Sequence, residues 1–536
     1  MKRRDFIKTV AASAGLVYAA TKSLNFLEEP ATAKTNLFWL RHPHRKFNLL
    51  EATIPEIQAA LQFRLITSKE LVQLYLNRIE AYDQRGPNIN AIRDINPNAL
   101  QIAEDLDRER AFRGPRGLLF GIPILLKDNI DTADEPTTAG SLALQGSIPP
   151  DDAFITNKLR DQGAIILGKA NLTEFANFVS SHMPSGYSSL GGQVLNPYNP
   201  GQLEVGGSSA GSGAAVAASL ITVAIGTETD GSILNPSNQN SLVGIKPTVG
   251  LVSRDGIIPI AHSQDTAGPM ARSVTDAAIL LGAITGVEPS DPATNASKGK
   301  FYTDYTQFLD PNGLKGARIG IPRFYYQFLS PEEDSLVEAA IKKIGSLEAE
   351  IIDSTPIATA QELESDGIDV LIYEFKHDLN AYLASLGFNA PVHSLKDIIA
   401  FNNAHPEQAL KYGQDILEQS EATSGTLTEA QYFQARATDL LLAKTNGIDA
   451  VMTQFQLDAL LFPEDYGADI GARAGYPSVI VPAGYTKSGS PVGITFLGTA
   501  FSEPTLIKFA YAYEQATRLR RPPASTPPLP KDIIPF

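Results

Sequence analysis

An α/β layered fold is predicted here from three observations. Short, almost uniformly apolar runs recur along the chain, as in strands of a sheet covered on both faces. Segments with helical spacing separate many of them, and that alternation belongs to layered α/β domains. Capping residues and Gly/Pro pairs punctuate the places where one period gives way to the other.

The elements follow in chain order. Lys2-Arg3-Arg4-Asp5-Phe6-Ile7-Lys8 precedes a mildly apolar run, Thr9 to Ala20, and Ala31-Thr32-Ala33 has the small-residue pattern of a cleavage site. The paired arginines resemble a twin-arginine export signal, so residues 1–33 are read as a targeting segment and the expected location is the periplasm. Its apolar run is too short for a membrane span, and no later stretch qualifies, so no stable membrane insertion is expected. Thr53-Ile-Pro-Glu56 and Thr67-Ser-Lys-Glu70 both have the form of a capping box opening a helix. Behind the second, Leu71, Leu74, Tyr75 and Ile79 recur at helical spacing, and Gly86-Pro87 ends the pattern.

Strands are expected at Gly121–Leu126, Ala164–Leu167, Val223–Ile225, Ile319–Ile321, Val370–Ile372, Ala459–Phe462, Val479–Val481 and Val492–Phe496. A helical subregion is expected over about residues 300–450, where charge and helical spacing are richer (Glu332 to Leu347, Ala409 to Glu421). The Pro-rich tail from Arg521 to Pro530 is expected to be irregular.

Composition narrows the function. At 43% hydrophobic and 19% charged, the 536-residue chain is globular in type. A net charge of −15, with no long basic run after the first residues, argues against nucleic acid as the partner. With no cysteine there is no disulfide, thiolate nucleophile or cysteine metal site.

Three motifs carry chemistry. Lys127 closes an apolar run, Gly121-Ile-Pro-Ile-Leu-Leu-Lys127, and a lysine at the end of a buried strand loses hydration and with it basicity, becoming a usable base near neutrality. A lysine reaching the surface or paired with Asp128 is the alternative for that residue alone. Gly206-Gly-Ser208-Ser209-Ala-Gly-Ser-Gly213 lets the backbone turn tightly, then runs into a small-residue helix; loop amides at such a start favour a developing oxyanion. Gly226-Thr-Glu-Thr229-Asp230-Gly231-Ser232 follows an apolar strand, and its backbone N–H groups are placed to converge on one point.

Together these residues resemble the amidase signature family, and with Gly168-Lys-Ala-Asn-Leu-Thr-Glu-Phe175, Gly244-Ile-Lys-Pro-Thr-Val-Gly250 and Asp265-Thr-Ala-Gly-Pro269 the resemblance covers about residues 50–520. Ser253 to Ile260 and Glu228 to Ser232 look most like the bacterial peptide amidases of that family. The resemblance implies a central mixed, mostly parallel twisted sheet between helical layers, in a single domain over residues 34–530. It implies Lys127 as base, Ser208 as bridging hydroxyl after a cis peptide bond from Gly207, Ser232 as nucleophile, and the backbone of Thr229, Asp230 and Gly231 as oxyanion hole. No cofactor and no metal are implied, and the substrate is a small-molecule or peptide amide. Oligomeric state stays open.

The chain departs from the commoner family pattern at Asp230, where glycine is more usual, and at Leu234, where members that grip a substrate carboxylate often have arginine. Leu234, with no cation between Ser232 and Asn240, favours a neutral, partly apolar substrate such as a C-terminally amidated peptide over glutamine. A glutamine-hydrolysing amidotransferase component is the nearest enzymatic alternative. Gly207-Ser-Ser209-Ala-Gly211 also matches a nucleophile elbow, which makes Ser209 the nucleophile of a Ser-His-Asp esterase with His262, His377, His393 or His405. Gly163 to Lys169 imitates a phosphate-binding loop, but its interior is apolar and Ala170 stands where Ser/Thr is needed. Loss of catalysis to leave a binding protein is a further alternative, disfavoured because all three triad positions are intact.

Overall fold

Eleven strands build one sheet in the computed structural model, which describes residues 47–534. They are β1 (Ile92–Ile95), β2 (Pro123–Lys127), β3 (Ile165–Ala170), β4 (Val223–Glu228), β5 (Val243–Lys246), β6 (Thr266–Ala271), β7 (Arg318–Ile321), β8 (Glu350–Asp353), β9 (Ala459–Pro463), β10 (Ser478–Tyr485) and β11 (Pro491–Leu497). Across the sheet they run β8-β7-β9-β11-β10-β5-β6-β4-β2-β3-β1. The sheet is mixed, as expected, but with a smaller parallel share than the resemblance implies: four of ten neighbouring pairs are parallel and six antiparallel. The parallel pairs form two runs, β8-β7-β9 and β4-β2-β3, joined by an antiparallel middle.

Helices flank the sheet. Val274–Ile284 and Glu503–Thr517 pack on each other and on its middle strands, and Ala210–Ala217 lies against β2, β4 and β6. Every residue of Ala210–Ala217 is buried, which explains its composition: only small side chains let a helix sit that close to the strands. Strand residues such as Ile124, Leu125, Ile165, Ala224 and Ile225 are fully buried, so the near-continuous apolar runs have the origin expected.

Seven of the eight expected strands are strands. The exception is Val370–Ile372, which lies in the helix Asp369–Ser385. Its buried residues Val370, Leu371, Glu374, Phe375, Leu379 and Leu383 recur every three or four positions, a period that an apolar triplet is too short to reveal. The helices Asp369–Ser385, Leu395–Ala404 and Asp415–Glu421 share a core with Phe175 and Phe178, and Phe375 meets both rings edge-on; Ala430–Asp439 packs on the first of them. Residues 1–33, read as an export signal, lie outside the described residues. No helix among the described residues is long and apolar enough to cross a membrane.

Both capping boxes form. Glu70 donates its amide to Thr67 Oγ1 at 3.1 Å, and the Thr67 amide donates to Glu70 Oε2 at 2.8 Å, opening the helix Ser68–Arg78. Thr67→Ala is expected to destabilise the protein by about 1 kcal/mol, read as a lower urea midpoint with unchanged slope. That helix ends at Arg78, a fully buried guanidinium. It donates to the carbonyls of Ala218, Ser219, Thr526 and Pro527 and to Asp532 at 2.6 Å. The Pro-rich tail is irregular, as expected, yet this one side chain holds it against the helix and the turn that precedes β4.

Candidate active site

β2 and β4 are parallel neighbours, with Leu126 opposite Ile225, so the segments that follow them leave the sheet at the same end. Lys127 is the last residue of β2, and the Thr229–Ser232 turn follows β4 directly. Carboxyl ends of adjacent parallel strands are where α/β sheets place ligands.

Lys127 is fully buried. Its Nζ lies 2.8 Å from Ser208 Oγ, 2.9 Å from Thr227 Oγ1 and 3.2 Å from the Thr227 carbonyl. Loss of hydration lowers its pKa to about 7; the carboxyl groups of Glu228 and Asp265 oppose that shift without cancelling it. A neutral amine has two N–H donors and one lone pair. The two oxygens of Thr227 accept the donors, leaving the lone pair for the Ser208 hydroxyl to donate into. Asn129 Nδ2 donates to Thr227 Oγ1 at 3.0 Å, so that oxygen is held as an acceptor.

The peptide bond between Gly207 and Ser208 is cis, as the resemblance implies. The Gly207 amide donates to Asn235 Oδ1 at 2.9 Å, and the Ser208 carbonyl accepts the Thr173 amide at 3.0 Å. Ser209 donates its amide to the Ser232 carbonyl at 3.2 Å, which joins the glycine-rich loop to the second serine turn. The Ser209 hydroxyl is committed elsewhere. It donates to the Thr227 carbonyl at 3.1 Å, accepts the Thr227 amide at 3.2 Å, and is fully buried. No histidine bonds it, so the nucleophile-elbow reading of Ser209 finds no support in the geometry.

Ser232 follows Gly231, whose φ of +73° is a conformation glycine adopts without strain. Its turn is held from inside by buried Glu228, whose Oε2 accepts the amides of Ile233 at 2.7 Å and Leu234 at 3.0 Å. Burial pushes the Glu228 carboxyl above its usual range. The amides of Asp230 and Ser232 meet no acceptor among the described residues and stay available to a ligand. The Thr229 hydroxyl donates to Asp265, whose other oxygen accepts the amides of Ile260 and Ala261 at 2.9 Å each; burial raises the Asp265 carboxyl to about 7. Asp230 itself is exposed.

A cavity of 530 Å³ runs beside this constellation and shares Asn129, Thr227 and Thr229 with it. Ile257, Ile258 and Ile260 form one wall, and the helix Asp369–Ser385 supplies His377, Asp378 and Tyr382 on another. Lys169, in the sequence that imitates a phosphate loop, is buried and donates to Ile130, Thr132 and Thr137, leaving no open cradle. Thr227, Asn129 and Glu228 carry much of the site's hydrogen bonding without having been singled out for it in the sequence. Thr227, Glu228 and Asp265 do lie inside motifs quoted from the sequence, which was the signal available, whereas Asn129 stands two residues past Lys127.

Known proteins share this arrangement of strands and motifs. The family model described as Amidase matches residues 70–507. A probable amidase of Arabidopsis thaliana is 43% identical over 492 residues, covering 89% of this chain and 92% of that one. The crystal structure of native peptide amidase from Stenotrophomonas maltophilia superposes with a TM-score of 0.83 at 48% identity, covering 88% of this chain and 98% of that one. A component of the glutamyl-tRNA(Gln) amidotransferase of Thermosynechococcus vestitus is 34% identical, covering 87% of this chain and 98% of that one.

Proposed function

The chain belongs to the amidase family and is a hydrolase acting on amides; from that premise we propose that it deamidates C-terminally amidated peptides or similar neutral carboxamides through an acyl-enzyme on Ser232. The observation that carries this reading is the contact of a fully buried lysine, with its pKa near 7, and the Ser208 hydroxyl at 2.8 Å. Neutral Lys127 draws the proton of Ser208, and Ser208 in turn takes the proton of Ser232 as its oxygen adds to the amide carbon. The N–H groups of the 229–232 turn hold the oxyanion, each such donor contributing on the order of 3 kcal/mol in hydrolases of this kind. The C–N bond breaks as Ser208 returns the proton to nitrogen, and ammonia leaves. Water activated through the same relay then cleaves the ester and restores both serines.

Three features support the substrate class. The structure of a peptide amidase is similar at 48% identity, Leu234 is buried two residues past the nucleophile, and the adjoining cavity has an apolar wall. Kinship with amidotransferase components keeps glutamine as the competing substrate. A screen of ammonia release decides between them. Amidated peptides are expected to give the highest kcat/KM, above free amino-acid amides, fatty amides, aryl amides and glutamine. Preference for glutamine overturns the peptide assignment.

A further inference from the structure

At the mouth of the cavity a loop meets the helix Asp369–Ser385, and two imidazoles close on one carboxylate. His262 Nδ1 lies 2.8 Å from Asp378 Oδ2, and His377 Nδ1 lies 2.8 Å from Asp378 Oδ1. One ligand atom from each of the three residues falls within 4.8 Å of the others. We propose that His262, His377 and Asp378 bind a divalent transition-metal ion of the zinc class, which staples the loop to the helix across the cavity mouth.

The donor set fits that chemistry. Two imidazoles and a carboxylate suit zinc, nickel or copper and do not suit magnesium or calcium, which want oxygen. For a tetrahedral ion with bonds of 2.0–2.1 Å, ligand atoms stand roughly 3.3 Å apart, so each 2.8 Å contact opens by about half an ångström as the ion replaces the shared proton. A simple hydrogen-bonded clamp explains one imidazole on Asp378. It does not call for a second imidazole on the other oxygen of the same carboxylate.

The carboxylates are also placed before any ion arrives. Asp378 Oδ2 accepts the His262 amide at 2.8 Å. Glu374 stands behind, with Oε2 3.5 Å from His262 Nδ1, and is itself fixed by the Tyr432 hydroxyl at 2.8 Å and the Ser263 amide at 2.9 Å. Hydrogen-bond donors of this kind hold carboxylates in place at metal sites. Both histidine side chains are nearly half exposed, which leaves an entry path and room for a water in the remaining position. The neighbouring cation, Arg254, is engaged by Asp291, with its Nε 2.8 Å from Oδ2. No cysteine competes for the ion anywhere in the chain. His262 and His377 are far apart in sequence, so no local spacing announces the site.

The test is calorimetric titration of zinc into the untagged full chain. His42 and His44, one residue apart, are replaced by glutamine throughout to remove a rival imidazole pair. One site is expected, weakened about 10- to 100-fold or more by His262→Gln or by His377→Gln, on the scale of losses seen at metal sites, and lost in the double variant. Excess zinc is expected to raise the Tm of the parent and not of the double variant. The proposal fails if the parent binds no zinc, or if the double variant binds it as the parent does. Should a variant not fold, cobalt(II) is added to the parent instead. A visible band of a low-coordinate nitrogen/oxygen site supports the proposal, and its absence ends it. Neither readout depends on the amidase reaction, so this inference and the functional reading fail separately.

Discussion

Replacing Ser232 by alanine is expected to lower kcat for ammonia release by about six orders of magnitude, the loss seen when a serine hydrolase loses its nucleophile, while the far-UV spectrum and Tm stay near those of the parent. The physical reason is local. Ser232 is 7% exposed, and its turn is shaped by Gly231 and by the Glu228 carboxylate rather than by its own hydroxyl, so removing Oγ leaves the scaffold in place. Ser209→Ala provides the contrast. Ser209 Oγ both donates to and accepts from the backbone of Thr227, and its loss is expected to appear in stability before it appears in chemistry. Turnover that survives Ser232→Ala but vanishes with Ser209→Ala reverses the two roles.

The second large effect belongs to Lys127. Lys127→Arg keeps a cation but cannot supply a lone pair in the working range, and it is expected to cost at least about three orders of magnitude in kcat/KM, the upper part of the range for proton-transfer catalysis. In the parent, a base whose pKa is lowered to about 7 makes log kcat/KM climb with unit slope below that pH and level off above it. A flat profile from pH 5 to 8, or activity retained by the arginine variant, removes lysine as the base. Histidine reagents are expected to leave the step untouched, because none of the hydrogen bonds around Lys127, Ser208 and Ser209 involves an imidazole.

The sequence made much of this legible for identifiable reasons. Buried strands such as β2 and β3 are apolar throughout, so they stood out. Capping boxes act within four residues, and both appeared where expected. Lys127, Ser208 and Ser232 drew notice because a lysine ending an apolar run and two glycine-rich serine turns together resemble one family's motifs. β1, β5, β6 and β8 were missed. β1 and β8 carry charged residues, β6 contains Gly268 and Pro269, and β5 spans four residues, so tertiary pairing rather than local preference makes them strands. Thr227 and Glu228 lie in a quoted motif, but their roles, like that of Asn129, arise from contacts between separate segments and were not legible. His262 and His377 were named only as partners for Ser209; their shared contact with Asp378 arises from the packing of a loop on a distant helix.

Burying Lys127 also has a consequence for the endurance of the molecule. The unfolded chain keeps this proton up to about pH 10.5, whereas the native state lets it go near 7. Below pH 7 the native protein therefore carries the full penalty of an ammonium shut away from water, on the order of several kcal/mol. Between pH 7 and 10 the unfolded state holds more protons, and the penalty fades as alkalinity rises. A methionine in that position escapes it, so the stability gap between Lys127→Met and the parent is expected to narrow steadily over that interval. The amidase thus keeps, at its centre, a residue that makes it easier to melt in acid and that no selection for robustness alone would retain.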